Sequence, residues 1–180
     1  VARLVEDMSR VFAPDEGFDP AGLARAFAIR TTDHVQYVLM PEIEVLLNRE
    51  APYVDLLVTS LSEHGIESLR SGTCELAVGV FSGLPADIHQ QALFSDRFVC
   101  MVRADHPVLA TGLSLAAYCD LPHVLVAPRG TPRGTVDEYL AERGRRRRIA
   151  RMVPHFLVAP LLVASSDAVV TVSERLAQRL

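Results

Sequence analysis

The stretch from Phe27 to Pro52 constrains this chain more than any other. Phe27 and Ile29 alternate with Ala28 and Arg30 at the period of a strand. Val35, Val38, Leu39, Ile43, Leu46 and Leu47 then recur at three- and four-residue steps, the period of a helix. A strand therefore runs straight into a helix. At the junction Thr31, Thr32 and Asp33 offer oxygens that can cap the first turn, and Asp33 with Gln36 three positions on has the form of a capping box. A helix start also carries unpaired N–H groups and a partial positive charge, so the same residues suit an anion. Capping is the commoner use of such side chains.

Alternation of strand and helix continues along the chain. Val54, Leu56 and Val58 read as a strand, Ile66 and Leu69 mark a short helix stopped near Gly72, and Leu76 to Val80 reads as a strand buried on both faces. Parallel pairing with right-handed crossovers follows from that order. Ser82, Gly83 and Pro85 make a turn, and strands are expected at Ile88 to Phe94 and Arg97 to Val102. A second α/β series then begins, with a helix at Ser114 to Tyr118 and a strand at His123 to Ala127. Thr135 and Glu138 have the form of a second capping box, for a helix ending at Gly144. Ile149 to Val153 is a strand, Phe156 to Ala164 a helix broken or kinked at Pro160, and Ala168 to Val172 a strand. Ser173 caps a last helix running to Leu180. Two successive α/β units imply two lobes with a crevice between them, where open α/β sheets bind ligands.

Before this series, Val1, Leu4, Met8 and Val11 follow the a/d pattern of a helix that pairs with another helix, and Pro14 to Pro20 reads as a joint. The expected organisation is a linker helix and joint over 1–24, a first lobe over 25–97 and a second over 98–180. The chain begins at Val, which suggests a piece of something longer.

Charge and residue usage narrow the chemistry. The net charge of -4 gives the chain as a whole no electrostatic footprint for nucleic acid. All 18 basic residues are arginine, which removes a Schiff-base lysine and a phosphate-loop lysine. Cys74, Cys100 and Cys119 are odd in number without a Cys-x-x-Cys pair, so neither a disulfide framework nor a zinc site is indicated, and a reducing cytoplasm fits. Met152 to Ser166, the longest run without a formal charge, falls short of the ~20 apolar residues that span a bilayer. The run Arg143, Arg145, Arg146, Arg147, Arg148 and Arg151 follows a helix end and has no aromatic residues interleaved, which reads as a solvated basic surface. No histidine has a metal spacing. His123 at the opening of a strand and His155 at a strand-to-helix turn are placed to face a crevice or to serve as structural histidines. No nucleophile with its base, and no cofactor motif, assembles from these residues.

Several stretches taken together carry a resemblance. Phe27-Ala-Ile-Arg-Thr-Thr-Asp33, Phe98-Val-Cys-Met-Val-Arg-Ala-Asp-His-Pro107, and Val153-Pro-His-Phe156 followed by Ser165-Ser-Asp167 stand in the order found in the effector-binding domain of LysR-type transcriptional regulators. Within that family the chain resembles the subgroup that responds to aromatic acids and flavonoid-like inducers. The resemblance implies an α/β fold of two Rossmann-like lobes around a ligand cleft, the type 2 periplasmic-binding-protein fold, lacking the family's C-terminal return to the first lobe. It implies no cofactor and a small aromatic effector held by Thr31, Thr32 and His34 from the first lobe and His123, Pro154, His155 and Phe156 from the second. A homodimer or tetramer would contact promoter DNA through an N-terminal helix-turn-helix outside this chain, in the cytoplasm and with no membrane partner. Salicylate-like acids and flavonoid-like phenols both remain open as the effector. The rival readings are a solute-binding protein of a transporter, which shares the fold, and a hydrolase using Cys100 or Cys119.

Overall fold

The computed structural model describes residues 19–61, 65–81 and 83–180. The paired linker helix expected at Val1, Leu4, Met8 and Val11 lies outside the described residues. A short 3-10 turn, Pro20–Gly22, leads into two α/β units, the first all parallel and the second mixed.

In the first unit β1 (Arg25–Thr31) enters α1 (Asp33–Glu50), followed by β2 (Val54–Ser60), α2 (Gly65–Arg70) and β3 (Leu76–Val78). The sheet order is β2-β1-β3 with all pairs parallel. The opening strand and helix thus form where the change of period places them. Val38 is the one fully buried residue of α1, while Leu46 lies exposed on its second half. Gly72, at φ 69, turns the chain out of α2.

The second unit runs through β4 (Phe98–Met101), α3 (Val108–Thr111), α4 (Leu115–Asp120), β5 (Pro122–Val126), α5 (Thr135–Ala141), β6 (Arg148–Val153), α6 (Ala159–Ala164), β7 (Val169–Ser173) and α7 (Glu174–Ala177). Its sheet order is β4-β7-β5-β6, with β4 antiparallel to β7 and the remaining pairs parallel. β7 lies inside this sheet and is packed on both faces. Val170 and Val172 join Val124, Ala159, Val163 and Leu176 in one cluster, and Val169 joins Tyr118 and Leu140 in another.

Several sequence expectations give way to tertiary context. Burial on both faces belongs to β7, whereas β3 is an edge strand with Leu76 50% exposed and nearby Val80 88% exposed. No strand forms at 88–94, because an alternating pattern makes a strand only beside a pairing neighbour and this segment has none among the described residues. Pro160 sits in the first turn of α6, where its missing N–H costs nothing, so it starts that helix and does not break it. The second capping box is shifted by one residue: the Gly134 N–H donates to Asp137 Oδ2 at 2.8 Å. α3 was unexpected and is held by His106, 4% exposed. Its Nδ1 accepts the Val108 N–H at 3.0 Å, so Nε2 carries the proton toward the Asp167 carbonyl at 3.2 Å. α7 ends at Ala177, short of Leu180.

Leu176, fully buried between β7 and α6, tests this arrangement. Leu176→Ala is expected to cost about 2–5 kcal/mol in urea unfolding, the range for emptying a packed core site. Leu57→Ala, at a position 57% exposed, is expected to change stability by less than about 1 kcal/mol in the same measurement.

Candidate functional site: the crevice between the two sheets

Strand polarity decides where a site forms, since open α/β sheets gather ligands at the carboxyl ends of their parallel strands. Three such ends converge here. Thr31 closes β1 and passes into α1, Val153 closes β6 and leads through Pro154, His155 and Phe156, and Ser173 closes β7.

The first turn of α1 supplies contacts across this crevice. Thr32 is extended, at φ −89 and ψ 159. Its Oγ1 accepts the Val35 N–H at 3.4 Å and its carbonyl accepts the Gln36 N–H at 3.0 Å. Thr32 is therefore the cap, and the capping box expected of Asp33 and Gln36 does not form. Released from capping, Asp33 reaches across, and its Oδ2 accepts the Leu157 N–H at 2.9 Å. His34 Nε2 stands 2.8 Å from Ser173 Oγ, and its ring lies 5.2 Å from that of Phe156 at 49°. Burial pushes the His34 imidazole below its ordinary pKa, with Asp96 and Asp33 offsetting part of the effect. The backbone N–H groups of Asp33 and His34 have no acceptor among the described residues, so the helix start keeps two donors for an anionic or hydroxyl group. Beside the bond from Asp33 to Leu157 an open groove of about 470 Å³ follows α1, lined by Gln36, Tyr37, Met40, Pro41 and Leu157.

The expected site residues separate into two groups. Thr32, His34 and Phe156 come together, with exposed Pro154 and His155 on the same edge. Thr31 is also there, 2% exposed, but its hydroxyl donates to the Val78 carbonyl at 2.8 Å and so is used within the sheet. His123 is not with them. It is the second residue of β5 and pairs with Val169, the first of β7, so it lies near the amino edge, across the sheet from the crevice. Asp33, Leu157 and Ser173 are crevice residues that the sequence reading assigned other roles or passed over. Their signal was position alone, since Ser173 closes a strand as well as capping a helix. Among the described residues no group of His, Cys, Asp and Glu could hold a metal ion, and no helix is long and apolar enough to cross a membrane.

A family model for the LysR substrate binding domain matches residues 20–180. The chain belongs to that family. It is similar to the HTH-type transcriptional activator NahR of Pseudomonas putida, 36% identical over 163 residues that make up 90% of this chain and 54% of that protein. Nodulation protein D 1 of Bradyrhizobium japonicum is 32% identical over 166 residues, 89% of this chain and 50% of that one. The chain thus spans about half the length of these relatives, the first of which is a transcriptional activator by name. Among solved structures, the probable transcriptional regulator PA0477 from Pseudomonas aeruginosa superposes with a TM-score of 0.84 at 30% identity, over 98% of this chain and 60% of that one. The regulatory domain of MexT, a transcriptional activator of the same organism, gives 0.76 at 31% identity over 88% and 76%. The two-lobed α/β arrangement is that of LysR effector-binding domains, the type 2 periplasmic-binding-protein fold.

In this LysR domain His123 serves a buried network on the amino edge. Arg147, its side chain 3% exposed, makes a two-pronged pair with Asp137 at 2.7 and 3.0 Å and reaches the Tyr118 hydroxyl at 3.0 Å. His123 Nε2 lies 2.7 Å from the Tyr118 carbonyl, which can only accept, so Nδ1 turns its lone pair to Arg147 Nη1 at 3.4 Å. Tyr118 in turn bonds Thr171 at 2.7 Å. The central arginine of the basic run therefore points inward, while Arg143, Arg145, Arg146, Arg148 and Arg151 remain exposed around it. Burial would raise the Asp137 carboxyl, but the Arg147 fork and the Gly134 N–H outweigh it and hold the group below its usual range.

Burial pushes His123 from its ordinary 6.5 down to about 4. Between those values the unfolded chain takes a proton that the folded chain refuses, so the contribution is complete above pH 6.5 and is lost as pH falls toward 4. The full loss is about 3 kcal/mol. Urea midpoints measured from pH 7 to 4 should fall accordingly, and His123→Gln should flatten that dependence. An unchanged slope in the variant would assign the loss to other groups.

Proposed function

We propose that this domain is the effector-sensing module of a LysR-type transcriptional regulator and is not an enzyme, with residues 25–97 and 98–180 as lobes that close on a small aromatic acid or phenol. The observation that carries this reading is the start of α1, where the Asp33 and His34 N–H groups stand without acceptors among the described residues beside the Thr32 hydroxyl, opposite the Phe156 ring from the other sheet. A carboxylate or phenolic oxygen accepts from those donors, as a helix start favours. The ring lies toward Phe156 and Pro154, and His155, exposed on the same edge, hydrogen-bonds a ring substituent. Thr31 supports this turn through the sheet. His123 contributes no ligand contact in this reading.

Effector affinity that differs between open and closed lobes shifts their balance, and in a two-fold dimer or a tetramer that shift alters the spacing of DNA-binding ends carried outside this chain. The pairing of Val1, Leu4, Met8 and Val11 would join two such chains. The relatives' names, HTH-type activators, support DNA as the partner of the whole protein and the cytoplasm as its place. The reading invokes no cofactor. A cysteine hydrolase is disfavoured because burial raises the Cys100 thiol, the wrong direction for a nucleophile, and its one hydrogen-bonding neighbour among the described residues is the Thr171 hydroxyl at 3.8 Å.

A thermal-shift panel of aromatic acids and flavonoids tests the reading. At least one compound is expected to stabilise the chain, and its binding should weaken by about 1–3 kcal/mol in Thr32→Ala or His155→Ala, the range for leaving a polar group of the bound effector without its partner. A hit that keeps full affinity in both variants would place the effector elsewhere.

A further inference from the structure

The groove along α1 begins where the proposed crevice ends, because Asp33 and Leu157 belong to both. Its volume of about 470 Å³ is in the range that encloses a small ligand. Tyr37, Met40, Pro41 and Leu157 supply apolar walls, and Asp33, Gln36 and Glu44 supply the polar rim. Among the described residues no basic side chain lines it. Two carboxylates without a cation repel a further anion and offer acceptors to a group that donates a hydrogen bond.

The aromatic wall of this groove is anchored from the other sheet's end of the chain. The Tyr37 hydroxyl donates to the Arg179 carbonyl at 2.7 Å, and Arg179 Nη2 reaches Glu42 Oε1 at 2.6 Å. A longer contact of 3.5 Å runs from Arg179 Nη1 to the Tyr37 carbonyl. That carbonyl is available because its helical partner four residues on is Pro41, which has no N–H. Residue 37 is thus clamped at both its backbone and its hydroxyl.

We propose that this groove is the second half of the effector site, that it takes an uncharged phenol-bearing ring, and that Tyr37 forms its wall with Arg179 as the positioning residue for Tyr37. The inference rests on the effector reading above and adds which end of the effector is charged and which is not. A carboxylate or phenolate is directed to the N–H groups of Asp33 and His34. The second ring packs against Tyr37 and donates to the acidic rim, with offset or edge contact between the aromatic faces.

Calorimetric titration of the 180-residue chain with salicylate, 7-hydroxyflavone and unsubstituted flavone tests this. The hydroxyflavone is expected to bind at least fivefold tighter than flavone, which has no hydroxyl to donate to the acidic rim. Tyr37→Ala should weaken the hydroxyflavone more than tenfold while leaving salicylate, a single ring held in the crevice, within twofold. Tyr37→Phe keeps the ring and removes only the anchor, so it remains informative if Tyr37→Ala folds poorly; a three- to tenfold loss is expected for it. Arg179→Ala keeps the backbone carbonyl that accepts the Tyr37 hydroxyl and removes only the guanidinium from the Tyr37 carbonyl and Glu42. A two- to fivefold loss is therefore expected, adding to that of Tyr37→Phe in the double variant and partly recovered in Arg179→Lys, a pattern that general destabilisation does not produce. Equal or tighter binding of unsubstituted flavone, or unchanged hydroxyflavone affinity in both Tyr37 variants, would overturn the inference. If Thr32→Ala still weakens salicylate in that case, the crevice reading survives alone. If none of the three compounds binds the unmodified chain, both readings are overturned.

Discussion

The hydrogen bond that the Val35 N–H donates to the Thr32 hydroxyl oxygen sets the terms for the region between the two sheets. A helix start needs an oxygen for one of its first donors, and Thr32 supplies it from an extended backbone. Asp33 and His34 are then free to work outside their own helix. Each reaches the other unit, Asp33 to the Leu157 N–H and His34 to Ser173 and Phe156. Had Asp33 been the cap, its carboxylate would have been spent within α1.

The same economy of roles appears at Ser173. Its oxygen stands 3.4 Å from the Leu176 N–H, opening α7, and 2.8 Å from His34. A hydroxyl both donates and accepts, which allows one side chain to start a helix and to bridge two sheets. Above it, β7 is buried on both faces, so the end that carries Ser173 is fixed by the core. The crevice contacts on that side are therefore held by packing and not by loop conformation.

On the opposite edge the buried pair of Arg147 and Asp137 organises a different set of residues. Its two-pronged geometry, with further bonds to Tyr118 and Gly134, satisfies charges that burial would otherwise make costly. Such an arrangement holds the α5-to-β6 turn and the start of β5 together, and it draws His123 into the core. Cutting one partner would leave the other charged and buried, which is why a basic run that looks uniform in sequence contains one residue of a different kind.

Period and punctuation in the sequence determined most of the segments that become strands and helices, that the strands of the first unit and β5, β6 and β7 of the second run parallel, and that a crevice lies at their carboxyl ends. These are local properties of the chain, written in spacings such as Phe27 and Ile29 followed by Val35, Val38 and Leu39. The family resemblance, too, was legible, because it rests on short stretches in a fixed order. His123 could have been set aside on the same grounds, since a residue near the start of a parallel strand sits near the amino edge. What only the tertiary structure decided was partnership. Which of Thr32 and Asp33 caps, whether 88–94 finds a neighbouring strand, which arginine of six turns inward, and that Arg179 meets Tyr37 at the gap left by Pro41 all depend on groups far apart in sequence. Their side chains carry no local mark of the atom they will meet, because each contact exists only once the two units have packed.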